Sequence, residues 1–229
     1  NFGSFSIGIY NIAHGRGNGS ELVNDTCESK EQRKQRLSDI NTHISKAPPT
    51  FLILNECDFD TYWSHNTFQP ELIGKELYRY AITQSNYRAR LWFRTWNFGN
   101  AILTNLKPTK VELISFTPLK KAETLVGNHD ALLAYFEDAQ GQTIRLLAIH
   151  LEVRSEQTRI LAAKKILEFQ QQQNSPLFVA GDFNSQIISN NETAISLLIS
   201  PSNSSFRSAI PTTKLHPTFP TKKPNRRLD

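Results

Sequence analysis

Short apolar runs, each closed by a polar residue with chemistry of its own, recur along this chain. Phe5, Ile7 and Ile9 alternate with small or polar residues and predict a first strand ending at Tyr10, Asn11 and Ile12. Phe51 to Leu54 is a continuous apolar run that predicts a buried strand with Glu56 at its C-terminal end. Further strands are predicted over 98–104, where Asn100 falls near the start, and over 111–116, 131–136 and 143–149, the last delivering His150. Leu177 to Ala180 makes a final buried strand, broken by Gly181 and followed at once by Asp182 and Asn184. Helical spacing appears over 28–46 (Leu37, Ile40, Ile44), where Pro48 and Pro49 stop it, over 156–173 (Ile160, Leu161, Ile166, Leu167, Phe169), and over 192–199. Strands alternate with helices, and neither an internal repeat nor a linker interrupts them. The pattern therefore predicts one α/β domain over residues 1–229.

The residues that close the strands carry the candidate chemistry. A carboxylate at the end of an apolar strand is costly unless something pairs with it, and Mg²⁺ is a hard cation that takes carboxylate oxygens, so Glu56 is a candidate ligand. Strand side chains alternate with period two, which puts Asp182 and Asn184 on one side of an extended chain as a base and a hydrogen-bond donor. The same GDFN segment also suits an Asp/Asn turn that ends a strand. His14 and Arg16 lie in the loop AHGRGNGS beside Asn11, either as phosphate contacts or as ordinary loop residues. The cluster Lys30, Arg33, Lys34 and Arg36 reads as the solvated face of the first helix. Between 61 and 98 ten aromatic side chains interleave with Arg79, Arg88, Arg90 and Arg94. They read as packing residues or, alternatively, as groups that stack bases or cap a lipid.

Composition narrows the class without choosing the reaction. Apolar residues at 38% and charged residues at 21% exclude a disordered chain, and no apolar run approaches a membrane helix. The expectation is a soluble protein, cytoplasmic or else secreted or periplasmic after loss of a leader, since the chain begins without Met. A formal charge of +5 favours anionic partners, a phosphoester or nucleic acid among them. Two cysteines, Cys27 and Cys57, are too few for a disulfide framework or a zinc ribbon, while a single bridge stays open. Oligomeric state is not legible.

The segments YNI, LNE, GNAIL, IHL, GDFN and TFPTKKPNRRLD, in that order from about residue 5 to 229, resemble the successive motifs of the endonuclease/exonuclease/phosphatase superfamily. GDFN and the terminal RRLD are the specific part. The resemblance implies a four-layer sandwich, two mixed sheets flanked by helices, and hydrolysis of phosphodiesters with Mg²⁺ or Mn²⁺. Carried over motif by motif, it implies Glu56 as principal metal ligand with Asn11 beside it, and Asp182 as the group that orients and deprotonates water. Asn184 and Asn100 would position the phosphate, and His150 would hydrogen-bond its oxygens. Asp229 resembles the acid that orients a histidine in a Ser-Asp-His segment; here the chain ends at Asp229, so the expectation is a domain lacking its last strand and that histidine. Ala13 and His150 differ from the abasic-site endonuclease branch and lean toward deoxyribonuclease, sphingomyelinase or other phosphodiesterase branches. A binding module that keeps the fold without the chemistry is the competing expectation.

Overall fold

In the computed structural model the described residues are 3–16, 28–116, 130–187, 191–200, 206–209, 217–218 and 228. The run Phe51–Leu54 sets the architecture, because its alternate side chains are buried on opposite faces of one strand. Phe51 and Ile53 meet Ile102, Leu132, Phe136 and Leu146 in a core between two sheets. Leu52 and Leu54 face the other way, onto Leu37, Ile44 and Ile73 of covering helices. A strand covered on both faces has no polar face to show, which is why its sequence reads as continuous rather than alternating.

The first sheet runs in the order β1 (Ile7–Asn11), β2 (Phe51–Thr61), β5 (Arg94–Thr104), β4 (Tyr80–Leu91), with the short β3 (Thr67–Phe68) paired to the end of β2. The second sheet runs β6 (Lys110–Ile114), β7 (Ala131–Glu137), β8 (Thr143–His150), β9 (Leu177–Asp182). Both are mixed: β1–β2 and β8–β9 are parallel pairs and the rest antiparallel. Helices α1 (Lys30–Ser45) and α3 (Glu156–Gln171) are the crossovers of the two parallel pairs, as parallel strands require. Helix α1 covers the first sheet with α2 (Gln69–Gly74), and α3 covers the second with α4 (Ala194–Leu198). The result is the expected four-layer α-β-β-α sandwich. Ser29 caps α1 with a full capping box through Gln32, and Ser155 caps α3.

Several boundaries differ from expectation, each for a local reason. Strand β2 does not stop near Glu56 but continues to Thr61, passing through a register shift between Leu54 and Cys57 opposite β5. Segment 61–98 contains β3, α2 and all of β4. Strand β5 begins at Arg94, so Asn100 lies in its middle rather than near its start. The basic face of α1 is not wholly solvated: Arg33 is 1% exposed, pairs with Glu28 at 2.8 Å and donates to the His14 carbonyl at 2.6 Å. Cys57 is a buried free thiol, pushed well above its ordinary pKa by burial and then by Asp58, while Cys27 lies outside the described residues. Among the described residues no helix is long and apolar enough to cross a membrane.

Candidate active site

The two parallel pairs end at the same edge of the sandwich. In β1–β2 the register sets Asn11 against Asn55, and in β8–β9 it sets His150 against Asp182. The last residues of β1, β8 and β9 therefore meet the middle of β2, bringing both sheets to one place. The bulge in β2 turns Glu56 out of the ladder with φ 51°, a left-handed conformation that is costly for a glutamate and aims its carboxylate across the edge. Gly181, at φ 135°, lets β9 pass so close to β8 that a Cβ there would lie 2.0 Å from the Ile149 carbonyl oxygen.

Asn11 joins the halves. Its Nδ2 donates to Glu56 Oε1 at 3.0 Å and to Asp182 Oδ2 at 3.1 Å, while its Oδ1 accepts from the Ala13 amide at 3.0 Å. His150 Nε2 stands 3.7 Å from Glu56 Oε1, and His14 Nε2 stands 3.7 Å from Glu56 Oε2. Burial pushes the Glu56 carboxyl up, but His150, His14, the Asn11 hydrogen bond and Arg16 together outweigh it and hold the group below the ordinary carboxylate value. Arg16 lies within electrostatic reach of Glu56 and Asp58; burial lowers its pKa against the pull of those acids.

Five of the nine predicted site residues, Asn11, His14, Glu56, His150 and Asp182, come together in this cluster, and Arg16 sits at its margin. Asn184 does not extend along the same face as Asp182. At φ 49° it folds back, its amide donates to Asp182 Oδ1 at 2.9 Å, and its side chain donates to the Leu151 carbonyl at 2.9 Å. GDFN is thus an Asp/Asn turn as well as a candidate site segment, and the turn is what fixes the carboxylate. Asn100 is fully buried behind the cluster, accepting from Asn55 at 2.7 Å and donating to Gln84 Oε1 at 3.0 Å and to the Asp130 carbonyl at 3.4 Å. Asp229 lies outside the described residues. Its neighbour Leu228 is buried, and the Leu228 carbonyl accepts from the Phe183 amide at 2.9 Å, which sets Leu228 beside GDFN.

Two residues of the arrangement, Asn55 and Asp58, went unread in the sequence. Asn55, fully buried, donates to Asn100 Oδ1 at 2.7 Å and to the Ile149 carbonyl at 2.9 Å, and accepts from the Asp182 amide at 3.0 Å. One carboxamide thereby ties β2 to β5, β8 and β9 directly behind the cluster. Asp58, also fully buried, contacts His14 Nδ1 at 2.7 Å through Oδ1 and accepts the Trp63 indole N–H at 2.9 Å through Oδ2. His14 is further wedged edge-on between Trp63 and Phe98, with ring centroids 5.5 and 4.9 Å away. The run ECD, with a second acid two residues after Glu56, was the available signal for Asp58.

The side chains at this edge offer oxygen donors from Glu56, Asp182 and Asn11, backed by imidazoles. Among the described residues no three His, Cys, Asp or Glu side chains form a ready-made cage for an ion. One or two carboxylates, with the Glu56 side chain still 30% exposed, suit a small hard cation that keeps much of its own water.

No protein-family model matches the sequence, and none of the curated proteins matches it. Solved structures do. An endonuclease/exonuclease/phosphatase from Bacteroides vulgatus superposes with a TM-score of 0.62 at 14% identity, over 86% of this chain and 70% of that one. A mannosyl-6-phosphatase from Bacteroides thetaiotaomicron gives 0.57 at 15% identity, over 80% of this chain and 67% of its own. TDP2 from D. rerio, in complex with a single-strand DNA product, gives 0.51 at 18% identity, over 79% of this chain and 60% of its own. The chain thus spans between 60% and 70% of the length of these three structures.

Proposed function

We propose, from the premise that this chain has the endonuclease/exonuclease/phosphatase fold, that it is a phosphoester hydrolase in which Asp182 activates water against a phosphodiester. The observation that carries the reading is the Asn11 bridge, which holds the Glu56 and Asp182 carboxylates, from opposite sheets, on one amide nitrogen. Two acids held that close at one edge of the sandwich, with histidines flanking one of them, are poorly explained as structural. The Glu56 side chain keeps 30% of its surface exposed and so can be reached from solvent.

Glu56 and Asn11 would hold a divalent ion, Mg²⁺ or Mn²⁺, which when bound supplies positive charge against the phosphate oxygens. The protein's own groups divide the remaining work. Asp182, its backbone amide fixed by Asn55 and its Oδ1 by the turn to Asn184, takes the proton of the attacking water as the new P–O bond forms. The opposite P–O bond then breaks, the alkoxide leaves with its electron pair, and solvent protonates it to the alcohol. His150 donates a hydrogen bond to a non-bridging phosphate oxygen and becomes more valuable as charge builds there. His14, held in one orientation by Asp58, presents Nε2 toward the same edge, and Arg16 adds positive charge for an anionic substrate. Asn100 acts from behind, by fixing Asn55.

Release of nitrophenolate from bis(4-nitrophenyl) phosphate tests this. We expect turnover with Mg²⁺ or Mn²⁺ that EDTA abolishes. No release with either ion, by this chain or by a longer form continuing past Asp229, would leave the reading without support and favour an anion-binding module.

A further inference from the structure

Strands β4 and β5 form a ribbon that outruns its sheet. Strand β5 is paired with β2 only as far as Phe98, opposite Asp58. From there the β4–β5 pair continues without β2 to the Leu91–Arg94 closure, so its two-residue tip, Trp92 and Phe93, lies five residues beyond Phe98. At a strand rise that is roughly 16 Å. It projects from the edge that carries Glu56 and Asp182, because Phe98 at its root packs on His14. The ribbon is also braced: the Arg94 guanidinium stacks over the Tyr62 ring at 4.4 Å, in the turn whose Trp63 holds Asp58.

The tip side chains are unusually bare. Leu91 is 63% exposed, Trp92 84% and Phe93 76%, three large apolar residues in a row. Immediately behind them stand the exposed cations Arg88, Arg90 and Arg94. Between residues 77 and 111 the sequence contains no acidic residue at all. Exposing such a cluster to water costs free energy that burial in a monomer would have recovered, which marks it as a contact surface.

We propose that this hairpin docks the active-site edge on an anionic lipid bilayer. The order of the groups selects that partner: the apolar tip of Trp92 and Phe93 enters the boundary between headgroups and acyl chains, where Trp is favoured, Leu91 follows it, and arginines one step behind meet anionic phosphates. A single nucleic-acid strand would stack on Trp92 and Phe93 but would leave Leu91 bare, and it would need the cations in front to reach its backbone. Docking in this way turns Glu56, Asp182 and His150 toward the membrane surface. That the phosphoester cleaved there belongs to a lipid headgroup rests on the hydrolase reading above; the docking itself does not.

Cosedimentation with phosphatidylcholine vesicles, with and without phosphatidylserine, tests the proposal. The chain is expected to bind the anionic vesicles, and Trp92→Ser/Phe93→Ser to bind them roughly thirtyfold more weakly. Arg88→Gln/Arg90→Gln should weaken binding roughly tenfold at low salt. The tip variant should unfold at the wild-type temperature and hydrolyse soluble bis(4-nitrophenyl) phosphate at the wild-type rate. Absence of vesicle binding, or equal binding by wild type and tip variant, overturns the proposal. So does a tip-dependent affinity for a single-stranded oligonucleotide without one for vesicles. Vesicle binding is read without turnover, so a failed hydrolysis assay would count against the catalytic reading alone.

Discussion

Replacing Asn55 with alanine should cost this fold about 4 kcal/mol, most of it from polar groups left unpaired. The side chain makes three hydrogen bonds, to Asn100 Oδ1, the Ile149 carbonyl and the Asp182 amide, and it is fully buried. Alanine removes all three and leaves partners that water cannot easily reach. Each orphaned buried group costs about 1–3 kcal/mol, and the losses overlap because the groups share one network. A loss of about 4 kcal/mol is a large part of the stability of an ordinary domain. Asn55→Asp separates the roles of the two ends of the amide. It keeps the acceptor for Asp182 N–H but sets a carboxylate against two acceptors in a dry site, so it should be at least as destabilising as alanine at neutral pH. Urea unfolding followed by tryptophan fluorescence reads both, with the m-value checked for constancy. An Asn55→Ala midpoint equivalent to a loss under about 1 kcal/mol, at unchanged m, would refute the claim that this carboxamide ties the sheets together.

Two further consequences are local. Gly181→Ala would drive a Cβ to within 2.0 Å of the Ile149 carbonyl oxygen at φ 135°, so β8 and β9 must part; thermal unfolding should show a loss of about 3 kcal/mol or more, and an unchanged midpoint would contradict it. Glu156 joins α3 to the segment after GDFN, accepting from Ser185 Oγ at 2.6 Å and from the Ala194 amide at 2.8 Å and pairing with Arg159 at 2.7 Å. Burial pushes its carboxyl up, but these partners outweigh that and hold it below the ordinary value. A depressed carboxylate adds stability above its unfolded pKa, about 4.3, and loses it as pH falls through the folded value. Glu156→Gln should therefore cost about 1 kcal/mol at pH 7, discounted for a partly exposed side chain, with the gap to wild type closing in acid. A gap that widens in acid would reverse the sign of the argument.

The sandwich was legible because β2, β7, β8 and β9 are covered on both faces and so stand out as apolar runs. The β4–β5 ribbon was not, because half-exposed strands of Arg, Tyr, Trp and Asn carry neither an apolar run nor a clean alternation. Asn11, Glu56, His150 and Asp182 could be found as polar residues that close apolar segments. Asn55 was hidden by the same logic: a polar residue after an apolar run reads as a boundary, whereas here the strand continues six residues further, to Thr61. Expecting Asn184 beside Asp182 assumed extended geometry, and its positive φ broke the period of two. The pairing of His14 with Asp58 joins residues 44 apart in sequence, and no local pattern carries it.

The central claim is that Asp182 performs the chemistry and Glu56 serves the ion. It is tested most directly by Mg²⁺-supported hydrolysis of bis(4-nitrophenyl) phosphate by Asp182→Asn beside wild type. Asparagine keeps the size and the contact with Asn184 but cannot take a proton, so turnover should fall by roughly 10²–10⁴-fold, the usual contribution of a general base, with the variant still folded. Turnover within about threefold of wild type would show that Asp182 is not the base, and the assignment built on the Asn11 bridge would fall with it.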